Sequence, residues 1–93
     1  MGNTPRKRRR RVERSTQDFL GMVIRMVRAA GRRVGEGDEY ELAEFIALQS
    51  ELDQALADAV AGQRANGKSW AAIATATGTT RQGAQQRWGR RAA

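Results

Sequence analysis

The hydrophobic and polar positions divide the chain into four helical segments. In the first, Phe19, Val23, Met26 and Ala30 recur at helical spacing, with Leu20, Ile24 and Val27 beside them. Ser15 or Thr16 is placed to cap this helix, which the pattern carries to about Ala30. Its apolar face is wide and must pack against the next helix or a second subunit. Ordinary core packing is the expectation, with Met22 and Met26 suited to an irregular contact. Gly31, Gly35 and Gly37 mark the connection that follows.

Asp38 opens a long second helix, and Glu41 three residues later completes a capping box. Leu42, Phe45, Ile46, Leu52, Leu56, Ala59 and Val60 repeat at three and four, with Gln49 as the polar interruption. No proline or glycine breaks the run before Gly62, so the helix can reach Asn66, with Gly67 as its stop.

The last stretch, SWAAIATATGTTRQGAQQRW, reads as two short helices joined by a tight turn. Ser69 caps the first, and Trp70, Ile73, Ala74 and Thr77 share a face. Gly78 stands where a left-handed residue ends a helix. Thr80 caps the second helix, whose inward face carries Ala84 and Trp88. Leu52 to Ala65 are expected to pack behind Ile73, Ala74 and Ala84, with Glu44, Glu51, Asp53 and Asp58 turned away. The fold class is therefore all-α: a small helical bundle with a C-terminal helix-turn-helix. Residues 1–14 form an arm, 15–37 the first helix and its connection, and 38–93 the long acidic helix with the two short ones.

Charge sharpens this picture. The net charge is +7, but it is unevenly placed. Residues 1–14 hold seven basic and one acidic side chain, and residues 36–66 hold one basic and eight acidic. Residues 67–93 hold five basic side chains and no acidic one. An arm so dense in like charge has little to bury and is expected to be disordered. Its readings are contact with phosphates or a minor groove, nuclear import in a eukaryotic host, binding to anionic lipid, or a solvated tail. A neighbouring helix-turn-helix favours the phosphate reading.

Other chemistry finds few residues to work with. There is no cysteine and no histidine, which removes disulfides, thiolate ligands and the commonest general base. No phosphate loop, nucleophile elbow or HExxH motif occurs. No enzyme activity, cofactor or metal site is expected. The apolar run after Phe19 is cut by Arg25 and Arg28, so neither a secretion signal nor a membrane span is read. The expected location is the cytoplasm, on the nucleoid.

The run from Ser69 to Trp88, with GTTRQ at its turn, resembles helix-turn-helix DNA-binding proteins. The likeness is to small regulators of actinobacteria and their phages, including phage repressors of the Cro type. Ala74 lies four before the turn glycine Gly78, and Ala84 six after it, as in that pattern. Two departures stand out. Thr79 replaces the usual valine, and Gly83 the usual alanine, where a helical glycine costs roughly 1 kcal/mol.

The resemblance implies a transcriptional regulator that places its last helix in the major groove of double-stranded DNA. Arg81, Gln82, Gln85 and Gln86 are then the base-reading residues, since arginine matches a guanine edge and glutamine an adenine edge. Phosphates fall to Lys68, Ser69, Thr80 and Arg87, and to Arg6, Lys7, Arg8, Arg9, Arg10 and Arg11 of the arm. A homodimer is expected, built by Phe19 to Val27 and Leu42 to Leu56. Two alternatives remain at this point. One is a phage DNA-packaging or architectural protein. The other is an interaction protein whose acidic central helix binds transcription machinery.

Overall fold

The computed structural model describes the backbone of residues 5–92 and the side chains of residues 15–90. It is all-helical, with α1 at Pro5–Gly35, α2 at Tyr40–Ala65, α3 at Trp70–Thr77 and α4 at Arg81–Ala92. No described residue lies in a strand. The chain divides into two compact units, Met1–Phe45 and Ile46–Ala93. The division falls inside α2 and not at the connection before it.

Four expectations for the first unit are corrected: the disordered arm, the Ser15 or Thr16 cap, the helix end near Ala30 and the core packing of its stripe. Residues 5–14 are not a disordered arm: they form the opening turns of α1. Ser15 and Thr16 therefore lie within a helix and do not cap one. Arginine and lysine are good helix formers, and Pro5 suits a first helical position, where no amide partner is lost. The side chains of Arg6 to Arg11 lie outside the described residues. The helix also runs on through Gly31 and Gly35. A Cβ at Gly31 would meet the Phe45 ring at 3.8 Å, an ordinary van der Waals contact, so packing does not demand a glycine there.

The apolar stripe of α1 does not enter a core within the single chain. Phe19 is 59% exposed and Met26 64%, and Leu20, Val23, Ile24 and Val27 are exposed beside them. Leu42, Ile46, Leu48 and Leu52 of α2 are exposed as well. Ordinary core packing, the expectation for α1, is therefore not what the described chain shows. The start of α2 is as expected: Asp38 N–H donates to Glu41 Oε1 at 2.8 Å, and Tyr40 N–H to Asp38 Oδ1 at 3.1 Å.

The second unit holds the core. Val60 from α2, Trp70, Ile73 and Ala74 from α3, and Ala84 and Trp88 from α4 are buried together, with Leu56 and Ala57 packed against them. Both turns in this unit depend on left-handed glycines. Gly67 has φ 91° and Gly78 has φ 70°. After α2, Lys68 N–H donates to the Gln63 carbonyl and Gly67 N–H to the Arg64 carbonyl, each at 3.0 Å. After α3 the same pattern recurs, with Thr79 N–H to the Ala74 carbonyl at 3.0 Å and Gly78 N–H to the Thr75 carbonyl at 3.4 Å. These bonds satisfy the carbonyls that each helix end leaves without partners.

Ser69 has the extended backbone of an N-cap, and its Oγ accepts from Ala72 N–H at 3.0 Å. Thr80 does the same for α4, accepting from Gly83 N–H at 3.0 Å. Thr77, the polar member of the α3 stripe, turns its hydroxyl onto the Ile73 carbonyl at 2.8 Å. That bond lets a threonine stand where the pattern asks for an apolar residue.

Ala84 is the tightest point of this core, at 0% exposure. Ala84→Leu has no space to fill, so it should lower unfolding free energy by about 1–3 kcal/mol. Chemical denaturation followed by tryptophan fluorescence measures it, and unchanged stability would show that α4 is not seated as described.

Candidate nucleic-acid interface

The candidate surface is built by α3, its turn and α4. The core fixes the rotation of α4 about its own axis, because Ala84 and Trp88 must face inward. Four residues apart, they define one side of the helix. Arg81, Gln82, Gln85 and Gln86 then stand on the other sides, and all four are exposed. Together they offer one guanidinium and three carboxamides, each able to make paired hydrogen bonds to a flat polar edge. Gly78 and Thr80 set where this array begins. The left-handed turn reverses the chain, and the Thr80 cap starts α4 immediately before Arg81.

The residues expected to hold phosphates divide into groups. Lys68, Ser69 and Thr80 are exposed. The hydroxyls of Ser69 and Thr80 accept from the backbone, and each keeps a proton to donate. Lys68 also borders an open apolar groove of about 450 Å³ between α2 and α3, floored by Leu56, Val60 and Ile73. Arg87 is different. Its guanidinium lies 5.0 Å over the Trp88 ring. It also lines a small concavity with Asp53, Leu56 and Trp88. The protein itself thus engages Arg87, and Asp53 is not wholly turned away as expected. None of Glu44, Glu51 or Asp58 lines that concavity.

The pattern left Arg64 out, yet it connects the two parts of the unit. Its Nη1 donates to the Lys68 carbonyl at 2.9 Å, and its guanidinium lies 5.0 Å over the Trp70 ring. Its Nε is buried without a partner. Arg64 therefore clamps the loop between α2 and α3 while stacking on the first residue of α3. A cation over tryptophan is worth about 0.5–1 kcal/mol at such half-exposed positions. The available signal was a basic residue in the last turn of a helix followed by a loop and a tryptophan.

The two departures from the resemblance turn out to be linked. A Cβ on Gly83 would lie 2.9 Å from Thr79 Oγ1 and 3.1 Å from Thr80 Oγ1. The hydroxyls of the turn thus fill the space where an alanine methyl would sit. Glycine at 83 and threonine at 79 are a matched pair.

No protein-family model matches this chain, nor does any curated protein or solved structure. Among the described residues, no helix is long and apolar enough to cross a membrane.

The matched pair can be tested. Gly83→Ala alone should gain well under the roughly 1 kcal/mol that helix propensity offers. Made in a Thr79→Ala background, it should recover most of that gain, about 1 kcal/mol. Denaturation of the four proteins of this cycle gives the coupling. Equal gains in both backgrounds would show that the two residues are independent.

Proposed function

We propose that this chain is a DNA-binding transcriptional regulator, with α3 and α4 as its helix-turn-helix and α4 as its recognition helix. One observation carries the reading: α4 is anchored by Ala84 and Trp88 while Arg81, Gln82, Gln85 and Gln86 are all exposed. The N-terminal part of a recognition helix enters the major groove, which is where Arg81 and Gln82 stand. Gln85 and Gln86 follow one turn further along. Ser69, Thr80 and the N-terminal amides of α3 and α4 supply phosphate contacts at the flanks, and the positive ends of two helix dipoles support them. Lys68 adds a flexible charge.

The exposed apolar faces of α1 and of α2 from Leu42 to Leu52 fit a homodimer. A dimer suits the chemistry, because one short helix reads few base pairs and two half-sites multiply affinity. In this reading the protein works in the cytoplasm, on the nucleoid. Analytical ultracentrifugation should find a dimer at micromolar concentration. A monomer well above that range would remove the two-half-site part of the proposal.

Selection of preferred sites from a random duplex pool tests base reading itself. The wild-type chain should enrich a motif with two-fold symmetry. Arg81→Ala should cost about 1–3 kcal/mol on that motif and relax preference at one base position. An equal loss on every sequence would leave an architectural role in place of a regulatory one. Retention of full affinity would leave the interaction-protein reading, with the acidic α2 as its contact surface.

A further inference from the structure

Beyond α4, the longest helix carries a second charged feature that the base-reading proposal does not use. With about 100° of rotation per residue, Arg25, Arg28 and Arg32 of α1 fall within about 60° of one another. All three are exposed. Phe19, Leu20, Met22, Val23, Ile24, Met26 and Val27 occupy a broad arc centred on the far side of the helix, with Ile24 about 40° from Arg28, Met22 about 60° from Arg25, and Arg33 inside the arc. The arginines form a narrow ridge whose centre lies opposite that of the apolar arc, with apolar residues bordering the ridge on both flanks.

The carboxylates nearest the ridge in the sequence are Asp18, two turns before Arg25, and Glu36, four residues after Arg32 and just past the helix end. Positions three and four residues away from each arginine, within the helix, hold only apolar residues, glycine or another arginine of the ridge. Asp18 stands at its border. Like charges at such spacing destabilise an isolated helix by about 0.2–0.5 kcal/mol per pair. Nothing within α1 offsets that cost, so the arrangement favours an external anion. Gly21 lies on the same side, and Arg25 Nη1 rests 3.5 Å from where a Cβ on Gly21 would be. The guanidinium of Arg25 therefore lies back along the helix over Gly21. Carried toward the N-terminus, the same register meets Arg14, Arg10 and Lys7 in the sequence.

We propose that Arg25, Arg28 and Arg32 form a rigid phosphate-binding ridge for duplex DNA, held on a helix and separate from the base-reading surface. This rests on the DNA-binding reading above. From Arg25 to Arg32 the helix rises about 10.5 Å, and a DNA strand presents one phosphate per 3.4 Å of axis, so about three phosphates lie within reach. A basic amphipathic helix also suits an anionic membrane. DNA is favoured by the exposed arginine and glutamines of α4 on the same chain, with the apolar back left for protein contact.

The test measures affinity for a random-sequence duplex between about 50 and 200 mM salt. Each lost phosphate contact should flatten the log–log slope by about 0.9, so Arg25→Gln/Arg28→Gln/Arg32→Gln should flatten it by about 2–3. Site preference, measured on the selected motif, should not change. The triple lysine variant should keep the slope. If circular dichroism shows that the triple glutamine variant has lost helix, the three single variants decide, each expected to flatten the slope by about 0.9. An unchanged slope in the glutamine variants, with duplex binding intact, overturns the ridge and leaves the α4 reading standing. Failure of the wild-type chain to bind any duplex overturns both. Binding to phosphatidylglycerol vesicles that the glutamine variants lose, without duplex binding, assigns the ridge to lipid and overturns the proposal.

Discussion

Burial of two tryptophans against alanine decides the geometry of the C-terminal unit. Trp70 and Trp88 are 9% and 7% exposed, and between them lie Ile73, Ala74, Ala84 and Val60. A tryptophan removes some 150–250 Å² from water, worth about 4–6 kcal/mol each as an upper figure. The alanines matter as much as the rings. At Ala74 and Ala84 a larger side chain would push α3 and α4 apart, and the turn at Gly78 has no slack to absorb the shift. Small residues thus set how close the helices come, and large ones supply the energy that holds them there.

From that constraint the outward array follows without further specification. Once Ala84 and Trp88 face inward, α4 has only one rotation available, and Arg81, Gln82, Gln85 and Gln86 face solvent. The caps fix the helix along its axis in the same way. Thr80 determines where α4 starts, and Ser69 where α3 starts. Arg64 connects these settings to α2 by donating to the Lys68 carbonyl and stacking on Trp70. Each of these contacts is worth on the order of 1 kcal/mol. Together they restrain the loops more than they stabilise the fold.

Local rules made this half of the chain readable. Every cap and both turn glycines follow from interactions spanning three to five residues, and such interactions leave a signature at fixed spacing. Asp38 with Glu41, Ser69, Gly78 and Thr80 all behave as those rules require. The first half was harder for an equally physical reason. Residues 5–14 have strong charge repulsion but also good helix propensity, and composition weighs only the first. The apolar stripe of α1 declares that something must cover it, but periodicity does not say what. Phe19 and Ile24 look the same in sequence whether they meet their own chain or another. The Thr79–Gly83 pairing was hidden because each residue, taken alone, looks like a small loss.

The distribution of stability across the chain suits a protein whose surfaces are completed by partners. The second unit has a buried core, while the described part of α1 and the first half of α2 expose most of their large apolar residues. A helix with so wide an apolar back and so narrow a charged ridge gains little from folding alone, since isolated helices are marginal in water. Covering the back removes apolar area from water, and an anion on the ridge relieves repulsion among the arginines. The two effects lie on opposite sides of the same helix and do not compete for space. In the proposed reading, partner binding at one side would order α1 for the other, coupling association of copies to contact with a polyanion through the helix–coil balance of a single element.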